Sequence, residues 1–85
     1  MKTFKADLTL NLHGMNPEAA EERVRRTLES GRYRGKIILI IHGQGRGILR
    51  ERIRNWAKQS RLIKTIWNGE DYFLPGGGGV TAFFL

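Results

Sequence analysis

From residue 8 to residue 13 leucine alternates with polar side chains: Leu8, Leu10 and Leu12 against Thr9, Asn11 and His13. A period of two predicts a strand with one apolar and one polar face. Gly14 ends it, and the spacing then changes. Asn16 offers a capping oxygen, Pro17 suits the first helical position and Glu18 complements the helix dipole. Ala20, Val24 and Leu28, four apart, form the inner face of that helix, and Gly31 closes it. The run from Lys36 to Ile41 is apolar and β-branched, which suits a central strand covered on both sides. After the loop HGQGRG, the stripe Leu49, Ile53, Trp56 and Ala57 predicts a second helix. Leu62 to Trp67 and Val80 to Leu85 are β-rich again, and NGEDYFLPGGGG between them reads as a flexible connection.

The order β-α-β-α-β-β predicts an α/β chain. Helical crossovers make the first two strands parallel and their connections right-handed. The absence of a helix between the last two makes them antiparallel. Two helices and a strand with a polar face predict a two-layer α/β sandwich: a four-stranded mixed sheet with both helices on one face. At 85 residues the chain is a single domain, 1–85, with its core over about 7–85. It has no cysteine, so neither disulfides nor thiolate metal sites support it. No segment approaches the ~20 apolar residues of a membrane span, and the N-terminus lacks the apolar stretch of a secretion signal. A cytoplasmic protein without a membrane partner is the expectation. Fifteen Lys and Arg against eight Asp and Glu give a net charge of +7. That excess points to polyanions: nucleic acid, whether DNA or RNA, ahead of the ribosome or an anionic membrane.

Both histidines, His13 and His42, stand at the carboxyl end of a predicted strand and precede a glycine. Parallel strands would bring them to one sheet edge, the edge where open α/β sheets bind ligands. Histidine suits proton transfer near neutral pH. The alternative is that both merely cap strands. Two histidines supply too few ligands for zinc, and Asp7, Glu70 and Asp71 have no spacing that completes a site. The loop Gly43, Gln44, Gly45, Arg46, Gly47 can turn amide groups toward an anion at a helix N-terminus. It is neither a Walker loop nor a dinucleotide fingerprint. Arg46, Arg50, Arg54 and Lys58 recur every four residues, followed by Arg61, as a basic stripe that can track phosphates. On the first helix, Glu21 and Glu22 can instead pair with Arg25 and Arg26. Trp56 belongs to the core, as does at least one of Phe83 and Phe84. Tyr72 and Phe73 either stack on bases or pack over the sheet edge.

Three stretches, LNLHGM, IIHGQGRGILR and GGGGVT, resemble the Smr (small MutS-related) domain in order and spacing, over about Asp7 to Leu85. The resemblance implies a fold like the C-terminal domain of translation initiation factor three. It also implies nucleic-acid binding and endonuclease activity: nicking DNA, with a link to repair and recombination, or cleaving RNA, some of it on ribosomes. Both a stand-alone protein and the C-terminal domain of a MutS-like chain fit it. His13 and Gly14 match the family's L-D-L-H-G motif, but Asn11 replaces its acidic residue. His42, Gly43 and Gly45 match H-G-x-G. Gly76, Gly77, Gly79, Val80 and Thr81 match G-G-x-G-[AV]-T.

In that reading His13 is a general acid or base and Asn11 positions the substrate. His42 and the Gly43–Gly47 backbone hold the scissile phosphate. Arg46, Arg50 and Arg54 bind flanking phosphates, and Gly76, Gly77 and Gly79 join the nucleic-acid surface. A divalent ion such as magnesium is open as a cofactor, though no ligand spacing indicates one. The alternative is a binding module for DNA, RNA or the ribosome without catalysis, because Asn neither accepts a proton nor holds a metal well at pH 7. A third class is a protein-interaction domain whose charge serves solubility.

Overall fold

A computed structural model describes residues 4–85; residues 1–3 of the expected domain lie outside the described residues. The elements are β1 (Leu8–Asn11), α1 (Pro17–Glu29), β2 (Ile37–Ile41), α2 (Ile48–Gln59), β3 (Thr65–Asn68), α3 (Gly69–Tyr72), a 3-10 turn (Gly77–Gly79) and β4 (Val80–Phe84). The strands form one mixed sheet in the order β1-β2-β4-β3. β1 and β2 are parallel, and β4 runs antiparallel to both β2 and β3. The predicted α/β sandwich is thus the observed architecture.

Local chemistry explains the first half closely. The Asn16 side chain accepts hydrogen bonds from the Glu18 and Ala19 amides, with Pro17 at the first helical position. Such a cap is worth about 1 kcal/mol. Ala20, Val24 and Leu28 of α1 and Ile53 and Ala57 of α2 pack on Leu10, Leu12, Ile38, Ile40, Phe83 and Leu85. Each fully buried large side chain here contributes about 1.5–3 kcal/mol by leaving water. Trp56 is half-buried against this core.

Register separates the two sheet faces. Ile38 faces Phe83 and Ile40 faces Thr81, all on the helical side, whereas Ile37 faces Phe84 and Leu39 faces Ala82. The expectation that the Lys36–Ile41 strand is covered on both sides is therefore corrected. Ile37, Leu39 and Ile41 alternate as half-buried residues with the buried Ile38 and Ile40. Among the described residues, α1 and α2 share one core with the Ile38 and Ile40 face of the sheet. On the Ile37 and Leu39 face Trp67 and Phe84 lie 6.4 Å apart between ring centroids, and the Lys64 ammonium sits 5.6 Å from the Phe84 ring.

A second correction concerns NGEDYFLPGGGG. It is not a loose connection but holds α3 and the 3-10 turn. Gly69 is buried so tightly that an added Cβ would collide with the Gly77 carbonyl and lie 2.6 Å from Val80 Cγ2. The Gly69 carbonyl accepts from both the Phe73 and Leu74 amides, ending α3. Phe73 at that end has φ 55, a left-handed conformation that costs a non-glycine residue about 1–2 kcal/mol. The third strand begins at Thr65 rather than Leu62, and Leu62 is exposed.

Candidate functional site

The carboxyl ends of β1 and β2 meet at one edge, as parallel pairing requires. Here β1 gives way to a turn in which Asn11 Oδ1 accepts from the His13 amide at 3.1 Å. This Asx turn holds the chain while Leu12 stays paired to Ile41 and fully buried. His13 is thrown outward: it is exposed, and its ring lies against the Gly43 backbone. A side chain on Gly43 would strike the imidazole and stand 3.2 Å from its Nε2, and φ here is +79°. The positive φ favours glycine here, and any side chain would displace the exposed imidazole.

His13, Gly14, Met15, Pro17, His42 and the Gly43–Leu49 segment line a cleft of about 340 Å³. Within it, Gly47 turns with φ 80 into α2, whose N-terminus carries no side-chain cap. Among the described residues, the amides of Gln44, Gly45, Arg46, Ile48 and Leu49 have no protein acceptor. Unpaired amides at the start of a 12-residue helix make a concave, positively polarised surface. Arg46, exposed and without an ion-pair partner among the described residues, adds a full charge.

His42 is placed differently from expectation. It is only 3% exposed. Its Nδ1 lies 2.8 Å from the Gly43 carbonyl and its Nε2 2.9 Å from Thr81 Oγ1. A carbonyl only accepts, so Nδ1 carries the proton and Nε2 accepts from the Thr81 hydroxyl. That hydroxyl in turn accepts from Arg54 Nε at 2.7 Å. The donor order therefore runs from Arg54 through Thr81 and His42 to the Gly43 carbonyl. Burial, then the charges of Arg54 and Arg50, push the imidazole below its ordinary value of 6.5, although the Gly43 bond opposes this. The imidazole is a neutral strut without free nitrogens, which corrects the expectation that it touches substrate.

Arg54 requires the same correction. Its guanidinium binds Glu70 with two bonds of 2.7 Å and the Val80 carbonyl at 3.1 Å, leaving it 13% exposed. Arg54 thereby holds Glu70 down at about 2. The pair's contribution is complete above 4.5, the ordinary value, and is lost as the pH falls through about 2. Arg54 thus serves the scaffold rather than flanking phosphates. Arg50 reaches the Gly78 carbonyl at a long 3.5 Å and stays half-exposed.

The relay predicts a pH effect. An unfolded His42 binds its proton near 6.5, whereas the folded one resists it. Its stabilising contribution is complete above that value and drains as the pH falls toward the folded one. Melting midpoints taken at about pH 7.5 and pH 5 should fall on acidification, and the drop should shrink in His42→Gln. An unchanged drop in the variant would contradict the relay.

The profile of the Smr domain family matches residues 10–85. The chain belongs to the Smr domain family. It is 34% identical over 82 residues to endonuclease MutS2 of Caldicellulosiruptor saccharolyticus, covering 95% of this chain and 10% of that protein. It is 36% identical over 81 residues to endonuclease MutS2 of Geobacillus kaustophilus, covering 94% of this chain and 10% of that protein. The chain spans about a tenth of the length of these curated relatives. The crystal structure of the Smr domain of Thermus thermophilus MutS2 superposes with a TM-score of 0.78 at 28% identity, covering 91% of this chain and 95% of that one.

Within this Smr domain the third motif lies under the loop. The Gly79 carbonyl accepts from both the His42 and Gly43 amides at 3.0 Å. Gly79 is buried, and a Cβ there would lie 3.6 Å from Gly43 Cα and Gln44 Cγ. Gly76 packs on Val80, where a Cβ would come within 2.7 Å of Cγ1. Gly79 is therefore a scaffold contact under the loop, whereas Gly76 is exposed and Gly77 has open space around it. Sequence reasoning missed Thr81 as a relay member and Gly69 and Glu70 as supports, because each acts across the sheet edge on a residue distant in the chain.

Glu22 pairs with Arg25 and Arg26 on α1, as predicted. Glu21 instead crosses to Arg52 of α2 at 2.8 Å. Among the described residues, no three His, Asp or Glu side chains cluster to hold a metal ion, and no helix is long and apolar enough to cross a membrane.

Proposed function

We propose that this Smr domain binds nucleic acid in the cytoplasm and cleaves its phosphodiester backbone as an endonuclease. The observation that carries the reading is the exposed His13 imidazole resting on Gly43, beside the unpaired loop amides and Arg46. The shared designation of the relatives as endonucleases supports it.

A phosphate seated on the Gln44–Arg46 amides would be held by backbone dipoles, with the α2 N-terminus behind it. His13 takes a proton from the attacking oxygen, either water or a ribose 2′-hydroxyl, or gives one to the leaving oxygen. One P–O bond forms and one breaks, and the leaving oxygen ends protonated. The extra charge on phosphorus-bound oxygens in between is what prepositioned amides stabilise best. His42 acts through Gly43 as a positioning residue, and Arg46 and Arg50 hold neighbouring phosphates.

The test is cleavage of labelled single- and double-stranded RNA and DNA by purified protein, with magnesium, manganese or chelator. Cutting of any of these supports the reading; binding to all without cutting limits the chain to a docking module. Binding engaging three phosphates should show a log–log salt slope of about −2 to −3, and a flat response would exclude phosphate recognition.

The second reading, binding without cleavage, draws on Asn11. Its oxygen is engaged by the His13 amide, and an amide side chain is no base. An aspartate would make the same turn, so Asn11→Asp changes charge with little change in geometry. Cleavage that appears only in Asn11→Asp would assign binding alone to the native chain.

A further inference from the structure

Phe73 is 92% exposed, so it does not pack over the sheet edge, and Tyr72 beside it is 57% exposed. The φ of 55 at Phe73 is a conformation that glycine or asparagine would take at less cost. Water and backbone both disfavour this phenylalanine, so neither core packing nor turn geometry accounts for it. An outlier of this kind marks a place where a ligand contact is to be sought.

The neighbourhood defines the ligand. A groove of about 360 Å³ lies between α2 and β3, lined by Arg50, Glu51, Arg54, Asn55, Lys58 and Asn68 among others. Asn68 is the residue before α3, and its amide bonds to Asp71 at 3.2 Å. Arg54 grips Glu70, so α3 is tied to the groove wall one short turn before Phe73. Arg50 also reaches toward the Gly78 carbonyl, beside the loop that carries the His13 cleft. With Arg54 paired to Glu70, Arg50 and Lys58 supply the groove's positive charge beside Glu51, and neither has an ion-pair partner among the described residues. The uncovered aromatic pair stands at the end of α3, the element that Asn68 begins and Glu70 ties to the groove wall.

We propose that Phe73, with Tyr72 as its neighbour, is a stacking platform for an unpaired nucleobase of a strand whose phosphates follow the groove. This rests on the nucleic-acid reading above and deepens it: the preferred ligand is single-stranded or locally unpaired. A base inside a duplex is already stacked on both sides and has no face to offer. Stacking reads no hydrogen-bond pattern, so the site accepts any base, in RNA or DNA.

The test uses the full chain and 12-nucleotide RNA and DNA strands beside blunt duplexes of the same sequence. Phe73→Gly should weaken single-strand binding about 5- to 150-fold, the range of one base–aromatic stack, and leave duplex binding unchanged. Its melting temperature should not fall, because glycine accepts the backbone conformation. Phe73→Trp should retain the preference. A series of strands with one abasic position each should contain a member that loses the same factor with the wild type and nothing further with Phe73→Gly. Equal loss on strand and duplex, no loss at all, or no sensitive abasic position would overturn the platform while leaving nucleic-acid binding intact. Failure of the wild type to bind any strand or duplex would instead overturn the underlying reading. Arms in RNA and DNA distinguish which strand the platform serves.

Discussion

His13→Ala should slow cleavage by about two to four orders of magnitude, the usual share of a positioned acid or base, without lowering the melting temperature. The ring is exposed, and among the described residues it makes no side-chain hydrogen bond, so its loss removes chemistry and little else. Binding should persist, because the amides of Gln44–Arg46 do not depend on it. Gly43→Ala should reach a comparable deficit by another route. Its new methyl would occupy the space of the imidazole, and φ +79 would be strained with any side chain. Displacing the ring and bending the loop together should weaken both binding and turnover. Single-turnover cleavage beside filter binding separates the two cases. Equal cutting by His13→Ala and wild type would remove the histidine from the mechanism.

Gly69→Ala should cost about 3 kcal/mol, the upper part of the range for overpacking a dense site. The methyl would meet the Gly77 carbonyl, Val80 Cγ2 at 2.6 Å and the Val80 carbonyl at 2.8 Å. Two of these are backbone atoms and cannot rotate away. Gly31→Ala is the matched control, because it has φ +75 but nothing within 4 Å of the new methyl. It should cost only about 1–2 kcal/mol of conformational strain. Urea melts with an unchanged m value measure both. A Gly69→Ala variant no less stable than Gly31→Ala would show that α3 and the 3-10 turn separate easily.

Periodicity revealed the fold where local signals and packing agree. Alternation marked β1, the Asn16–Pro17 pair marked the start of α1, and topology followed from the order of elements. It failed between β3 and β4. Glycine and polar residues there resemble a loose loop, yet Gly69 is small because α3 must approach Gly77 and Val80 closely. Residue type alone does not distinguish a glycine chosen for freedom from one chosen for contact. The site was legible in the same graded way. His13 and the Gly43–Gly47 amides stand together as strand order implied. His42 and Arg54 carried the right residue types for substrate contact, but each is committed to a partner across the sheet: Thr81 lies 39 and 27 positions away, respectively. Such partners become visible only once β2 and β4 are paired.

The Gly43 carbonyl, pinned on the His42 ring, has a geometric corollary. In a trans peptide the oxygen and the next amide hydrogen point in opposite directions. Anchoring that oxygen toward the interior obliges the Gln44 amide to face outward, so this peptide plane cannot invert without surrendering its internal bond. The polarity presented to an arriving anion is therefore set before any ligand comes, by a hydroxyl and a guanidinium on the far side of the ring.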